Sequence, residues 1–163
     1  MAEQKLKNVT RIKSIFAYHQ HKNRLFSYGL YLSGDKQLAE DTVHDVFVKY
    51  LESAEQFESD NNLANWLFIC ARNLLLNRLA KEKQTSNYDF STLAIQPAVE
   101  HKLFIDKILA RLTPEEKDLL LLREQQGFSI RELAQMLEMT EETIRVRLFR
   151  IRKKIHEMKA SLL

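Results

Sequence analysis

Residues 129–154 read SIRELAQMLEMTEETIRVRLFRIRKK, and the way this stretch folds decides the rest. Ser129 with Glu132 three residues on is the signature of a capping box opening a helix. Ile130, Leu133, Ala134 and Leu137 then recur at helical spacing and form an inner face, with Ala134 small enough for two helices to cross closely. Glu138-Met139-Thr140 makes a turn, and Thr140 caps the helix that follows. In that second helix Ile144, Leu148, Ile151 and Ile155 fall within roughly 60° of one another at about 100° per residue. The opposite arc holds Arg145, Val146, Phe149, Arg150 and Lys153, flanked by Arg147 and Arg152. One apolar seam, one basic arc and a tight turn before them predict a helix-turn-helix that enters the DNA major groove. There arginine can grip guanine O6 and N7 while other cations hold phosphates. A plain amphipathic helix in a bundle would also have a basic outer face, but it does not need the short preceding helix and turn.

Upstream, Leu112-Thr113-Pro114-Glu115-Glu116 is another helix start, with Thr113 as cap, Pro114 in the first turn and the carboxylates at the positive end of the helix dipole. Leu119 to Leu122 supply its apolar side and Gly127 closes it. Further back, Ser33-Gly34-Asp35 breaks the chain between helices, with Asp35 as cap. Leu38, Val43, Val46, Phe47, Tyr50 and Leu51 form the apolar series of the next helix, leaving Glu40, Asp41, His44 and Asp45 largely on its other faces. Residues Phe57 to Asn62 read as a loop, and a strongly apolar helix begins near Leu63, turning basic towards Arg78 and Lys81.

The whole chain of 163 residues has only 3 Gly and 2 Pro against 45% hydrophobic residues. Strand-rich folds need many turn residues, so this composition predicts an all-α protein. Helical periodicity fails from Gln84 to about Ala98, a polar stretch containing Pro97, which reads as a flexible linker. The organisation expected is two small helical domains, 1–83 and 99–163, joined by residues 84–98. Both sit near the lower size limit for independent folding.

Net charge is +3, but it is unevenly placed. From Asp35 to Asp60 eight acidic residues face two lysines. From Arg72 to Lys83 there are four basic residues and one acidic, and from Thr140 onwards seven basic and three acidic. One acidic patch and two basic ones suit a basic partner surface and two contacts with a polyanion. No Gly-rich phosphate loop is present, and His19, His21, His44, His101 and His156 are scattered without metal-ligand spacing. No cofactor, metal site or catalytic residue is therefore expected. The lone Cys70 reads as a small buried hydrophobe and the four Met as packing. No apolar run reaches the length of a membrane span, so a cytoplasmic protein is expected.

The helix-turn-helix alone leaves open a stand-alone regulator or a response-regulator output domain. The first half of the chain narrows the choice. Gly34 to Phe47, GDKQLAEDTVHDVF, closely resembles conserved region 2.2 of sigma factors of the extracytoplasmic-function group, in the sigma-70 family. Ala64 to Leu74, ANWLFICARNL, looks like regions 2.3 and 2.4, and Leu112 to Lys154 is similar to region 4. The resemblance implies a transcription initiation factor that binds the β′ and β subunits of RNA polymerase core and directs it to promoters. Glu40, Asp41, His44 and Asp45 would then face a β′ coiled coil. The −10 element would be read as a single strand by Arg72, Asn73, Asn77, Arg78 and Lys81, with a base pulled out of the stack near Phe57 to Asn62. Trp66 could stack there too, although its apolar surroundings favour a core place. Members commonly carry Asp where this chain has Asn77, which leaves the −10 preference open. The −35 element would be read as duplex by Arg145, Val146, Arg147, Phe149, Arg150 and Lys153. The resemblance further implies an anti-sigma factor that covers these faces and could hold the protein at the inner membrane face. A degenerate sigma serving only as a protein-interaction module is the remaining alternative, and the intact basic arc speaks against it.

Overall fold

The computed structural model describes residues 1–53, 62–85 and 100–162, and the described residues form helices and turns with no strand. By internal contacts the chain divides into two compact units, Met1–Leu75 and Leu76–Leu163. The expected linker lies almost wholly outside the described residues, as does the loop expected from Phe57, apart from Asn62. No described helix is long and apolar enough to cross a membrane.

Three helices build the first unit: α1 (Ala2–Ser33), α2 (Lys36–Ser53) and the first half of α3 (Leu63–Thr85). The break between α1 and α2 falls at the expected place. Gly34 adopts the left-handed conformation (φ 70°) and its N–H donates to the Leu30 carbonyl at 2.7 Å, ending α1. The Asp35 carboxylate accepts from the Leu38 N–H at 3.1 Å and opens α2. α1 begins at Ala2 and buries no residue before Ser14. Its first turns bury nothing and stand on helix propensity alone.

Leu25, Tyr28 and Leu32 of α1 pack with Ala39, Val43, Val46, Phe47 and Tyr50 of α2 and with Leu63, Leu67, Phe68, Ala71 and Leu75 of α3. Tyr28 meets Phe68 edge-on at 5.5 Å between ring centroids, and Trp66 lies tilted against Tyr50 at 6.3 Å. α1 and α2 approach closely at Gly29. A Cβ there would lie 3.3 Å from both the Cα and the Cβ of Ala39. A Gly29→Val variant is therefore expected to lose about 1–3 kcal/mol of stability by overpacking, measured by urea unfolding. Unchanged stability would mean that α1 and α2 can separate at no cost.

The second unit adds α4 (Glu100–Ala110), α5 (Pro114–Leu120), α6 (Ile130–Met136) and α7 (Glu141–Leu162). The expected capping box of Ser129 and Glu132 is formed, and Thr113, expected only as a cap, forms one as well: it and Glu116 exchange hydrogen bonds with each other's backbone N–H. Between α5 and Gly127 the chain takes a π-helical turn over Leu121–Gln125, which the sequence did not announce. Gly127 (φ 76°) then lets the Phe128 N–H reach back to the Leu122 carbonyl at 3.1 Å. The guanidinium of Arg123 donates to the Phe128 carbonyl at 2.8 Å and holds that corner.

Glu116 does more than cap α5. Its carboxylate also receives the Lys154 ammonium at 2.7 Å, tying the start of α5 to the middle of α7. Partial burial alone would raise its pKa, but the bonds from Lys154 and Thr113 outweigh burial and hold it below the usual glutamate value. A depressed folded-state pKa adds stability above the ordinary carboxylate range, and that stability is lost as pH falls through the depressed value. Glu116→Gln should therefore flatten the acid limb of the stability–pH curve of this unit below about pH 4.5, with thermal unfolding as the readout. An acid limb identical to that of the original chain would show that the pair contributes nothing.

Candidate nucleic-acid interface

α6 and α7 realise the helix-turn-helix. Leu133, Ala134 and Met136 of α6 are buried, and Ile130 and Leu137 are partly so. The turn closes at Glu138, whose φ of 52° is the positive-φ exception among the non-glycine residues described. Thr140 accepts from the Thr143 N–H at 3.1 Å, capping α7 as expected. On α7, Ile144, Leu148 and Ile151 are buried, Ile155 is half-buried, and Met158 extends the same seam.

Every residue of the expected basic arc is exposed: Arg145, Val146, Arg147, Phe149, Arg150 and Lys153. Their partners divide them. Arg145 is held by Glu141 one turn back at 3.0 Å, and Arg152 by Glu124 of the π turn at 2.5 Å. Arg147, Arg150 and Lys153 make no ion pair among the described residues, so their charge is available to phosphate or a base edge. Phe149 is 68% exposed and Val146 42%, and with Ile130, Leu148 and the two held arginines they line a shallow apolar recess. Large apolar side chains displayed among arginines suit thymine methyls in a groove better than they suit water. The role of Glu124 in fixing Arg152 was not legible beforehand, because 28 residues separate them in sequence.

α3 has a buried stripe of Leu63, Leu67, Phe68, Ala71 and Leu75. On another face Asn73, Asn77 and Lys81 are exposed at successive turns, with half-buried Trp66 and Cys70 on the same stripe. Arg72 and Arg78 are half-buried and lie off this stripe, Arg78 in line with Leu67 and Ala71 and Arg72 next to Phe68 on the helical wheel. The five predicted residues thus share one helix, but three of them form its exposed line. Cys70 is half-buried instead of fully buried. Burial pushes its thiol pKa up, against the opposing pull of Lys49.

α2 presents Glu40, Asp41 and His44 to solvent, with Asp45 half-buried beside them. Gln37 donates to Asp41 at 2.9 Å and Lys36 lies 3.8 Å from Glu40, both along the helix. Leu51 does not join the core as the apolar series suggested. It is 61% exposed, and Val48 is 40% exposed on the same face as His44. Spacing of four and seven from His44 was the signal, and counting only apolar residues concealed it.

Two sequence profiles match this chain: sigma-70 region 2 over residues 17–85 and sigma-70 region 4 over residues 105–155. They cover most of the chain, in that order, and they contain all three candidate faces.

The chain belongs to the sigma-70 family.

Its similarity runs to the extracytoplasmic-function group. It is 26% identical over 143 residues to the ECF RNA polymerase sigma factor SigX of Bacillus subtilis, covering 78% of this chain and 72% of that one. It is 28% identical over 138 residues to EcfG of Rhodopseudomonas palustris, covering 80% and 76%. Among solved structures, the sigma factor RpoE of Bartonella quintana, in complex with the anti-sigma factor NepR, matches with a TM-score of 0.72 and 26% identity over 85% of this chain and 91% of that one. The structure of CnrH with the cytosolic domain of CnrY also matches with a TM-score of 0.72, at 18% identity, covering 93% and 90%. That last likeness shows a shared fold. The protein is thus a sigma factor, an initiation factor that directs RNA polymerase to promoters.

Proposed function

We propose that this sigma factor divides its work among the three faces described above. Glu40, Asp41, His44 and Asp45 dock on a basic surface of core polymerase, where charge complementarity sets encounter rate and register. Asn73, Asn77 and Lys81, with Arg72 and Arg78 on the same helix, hold the unpaired strand of the −10 element, the amides reading base edges and the cations gripping phosphate. Arg145, Val146, Arg147, Phe149, Arg150 and Lys153 read the −35 element as duplex in the major groove. Residues 84–98 link a region 2 domain, 1–83, to a region 4 domain, 99–163. Two modest DNA contacts on one chain then reinforce each other through effective concentration. RNA synthesis itself belongs to the polymerase.

The observation that carries this reading is the division of α7: its seam is buried while every arginine of its outer arc is exposed. The complex of RpoE with NepR supports an anti-sigma factor as a further partner. A cytoplasmic place follows from the need to meet polymerase and DNA.

Photo-crosslinking groups at Asn77 and Arg150, in holoenzyme on promoter DNA, test the assignment. Asn77 should label the unpaired downstream element and Arg150 the upstream duplex. The reverse pattern, or labelling of duplex alone from both positions, would overturn it.

A further inference from the structure

The first half of α1 has an outer face that belongs to none of the three faces described above. Residues 2–16 precede the part of the chain that matches region 2. Leu6, Val9, Ile12, Ile15 and Phe16 are all exposed there, Ile12 by 67% and Phe16 by 66%. Ser14, Ala17 and His21 mark the side of α1 that turns to the core. At about 100° per residue, Val9, Ile12 and Phe16 fall within about 60° of one another and point well away from that side. Lys5, Lys7, Arg11 and Lys13 against Glu3 give the same segment a net charge of +3. A cationic helix with a bare apolar stripe suits a partner that is anionic and offers an apolar layer beneath its charge.

From this we infer that the N-terminal half of α1 is a membrane-surface helix that lies on anionic phospholipid, its apolar stripe in the acyl boundary and its lysines among the headgroups. A second copy of the chain fits less well. The seam Val9, Ile12, Phe16 is flanked by Lys5 and His19 at the next seam positions, which is too short a run for a coiled coil. Two such helices would also bring like charges together. A basic polymerase surface of the kind that suits the acidic face of α2 has the wrong sign for α1.

Co-sedimentation of the full chain with phosphatidylcholine vesicles, with and without phosphatidylglycerol, tests this. Binding should require phosphatidylglycerol and weaken by at least about tenfold in an Ile12→Glu/Phe16→Glu variant. It should persist in an Arg147→Glu/Arg150→Glu variant, which separates α1 from the basic face of α7. No phosphatidylglycerol-dependent binding, binding untouched by the α1 changes, or loss only in the α7 variant would each overturn the inference. So would a concentration-dependent dimer abolished by the α1 changes in place of vesicle binding. The α1 variant should still direct transcription by core polymerase without lipid. Failure of that activity in the original chain would count against the promoter assignment and leave the vesicle result to be judged alone.

Discussion

Reversing the exposed charges on α2, in a Glu40→Arg/Asp41→Arg variant, is expected to weaken binding to core polymerase by about 100-fold. Both residues are exposed, and their contacts on this helix are surface ones: Lys36 beside Glu40 and the Gln37 amide on Asp41. Surface pairs of this kind are worth at most about 1 kcal/mol, so the fold should survive the change. The cost instead arises at the interface, where two cations would face a basic surface and like-charge contact costs several kcal/mol. The loss should appear mostly as slower association, and the salt dependence of the original chain should vanish with it. Surface plasmon resonance against immobilised core, with circular dichroism of the free variant as a folding control, measures both. Affinity within threefold of the original would mean that another face docks.

Arg150→Ala is expected to reduce binding to the −35 duplex by about 10–100-fold, the range for one bidentate arginine–guanine pair. Arg150 is exposed, makes no ion pair among the described residues and sits next to Phe149 on the outer arc. Its loss therefore leaves no buried charge stranded and no cavity. Lys153→Ala provides the contrast. If Lys153 holds phosphate, its removal weakens all duplexes evenly and lowers the salt slope by about one, whereas Arg150→Ala relaxes preference at one base pair. Fluorescence anisotropy on a panel of single-base variants distinguishes the two. An even loss across all sequences for Arg150→Ala would reassign it to the backbone.

Much of this was legible in the sequence because the deciding signals are local. The capping box at Ser129, the Thr113 cap, the glycine break at Gly34 and the 3.6-residue seam of α7 each involve residues within a few turns of one another, and each formed as expected. What escaped depends on distant partners or on which side of a helix the core happens to lie. Leu51 has the spacing of a core residue yet faces solvent, because the α2 core is already filled by Val43, Val46, Phe47 and Tyr50. The π turn after Leu120 and the Glu124–Arg152 pair follow from how α5 and α7 meet, which no local pattern encodes. Proximity in sequence groups Arg72 and Arg78 with Asn73, Asn77 and Lys81, whereas helix geometry turns the two arginines towards the buried stripe.

Whether this chain directs polymerase to promoters through these faces is read out by transcription in vitro with bacterial core polymerase on a library of DNA fragments. Defined start sites should appear only when the protein is added, and they should disappear with Glu40→Arg/Asp41→Arg. The absence of defined starts, together with tight duplex binding by the protein alone, would contradict the account and identify a regulator that acts without joining the polymerase.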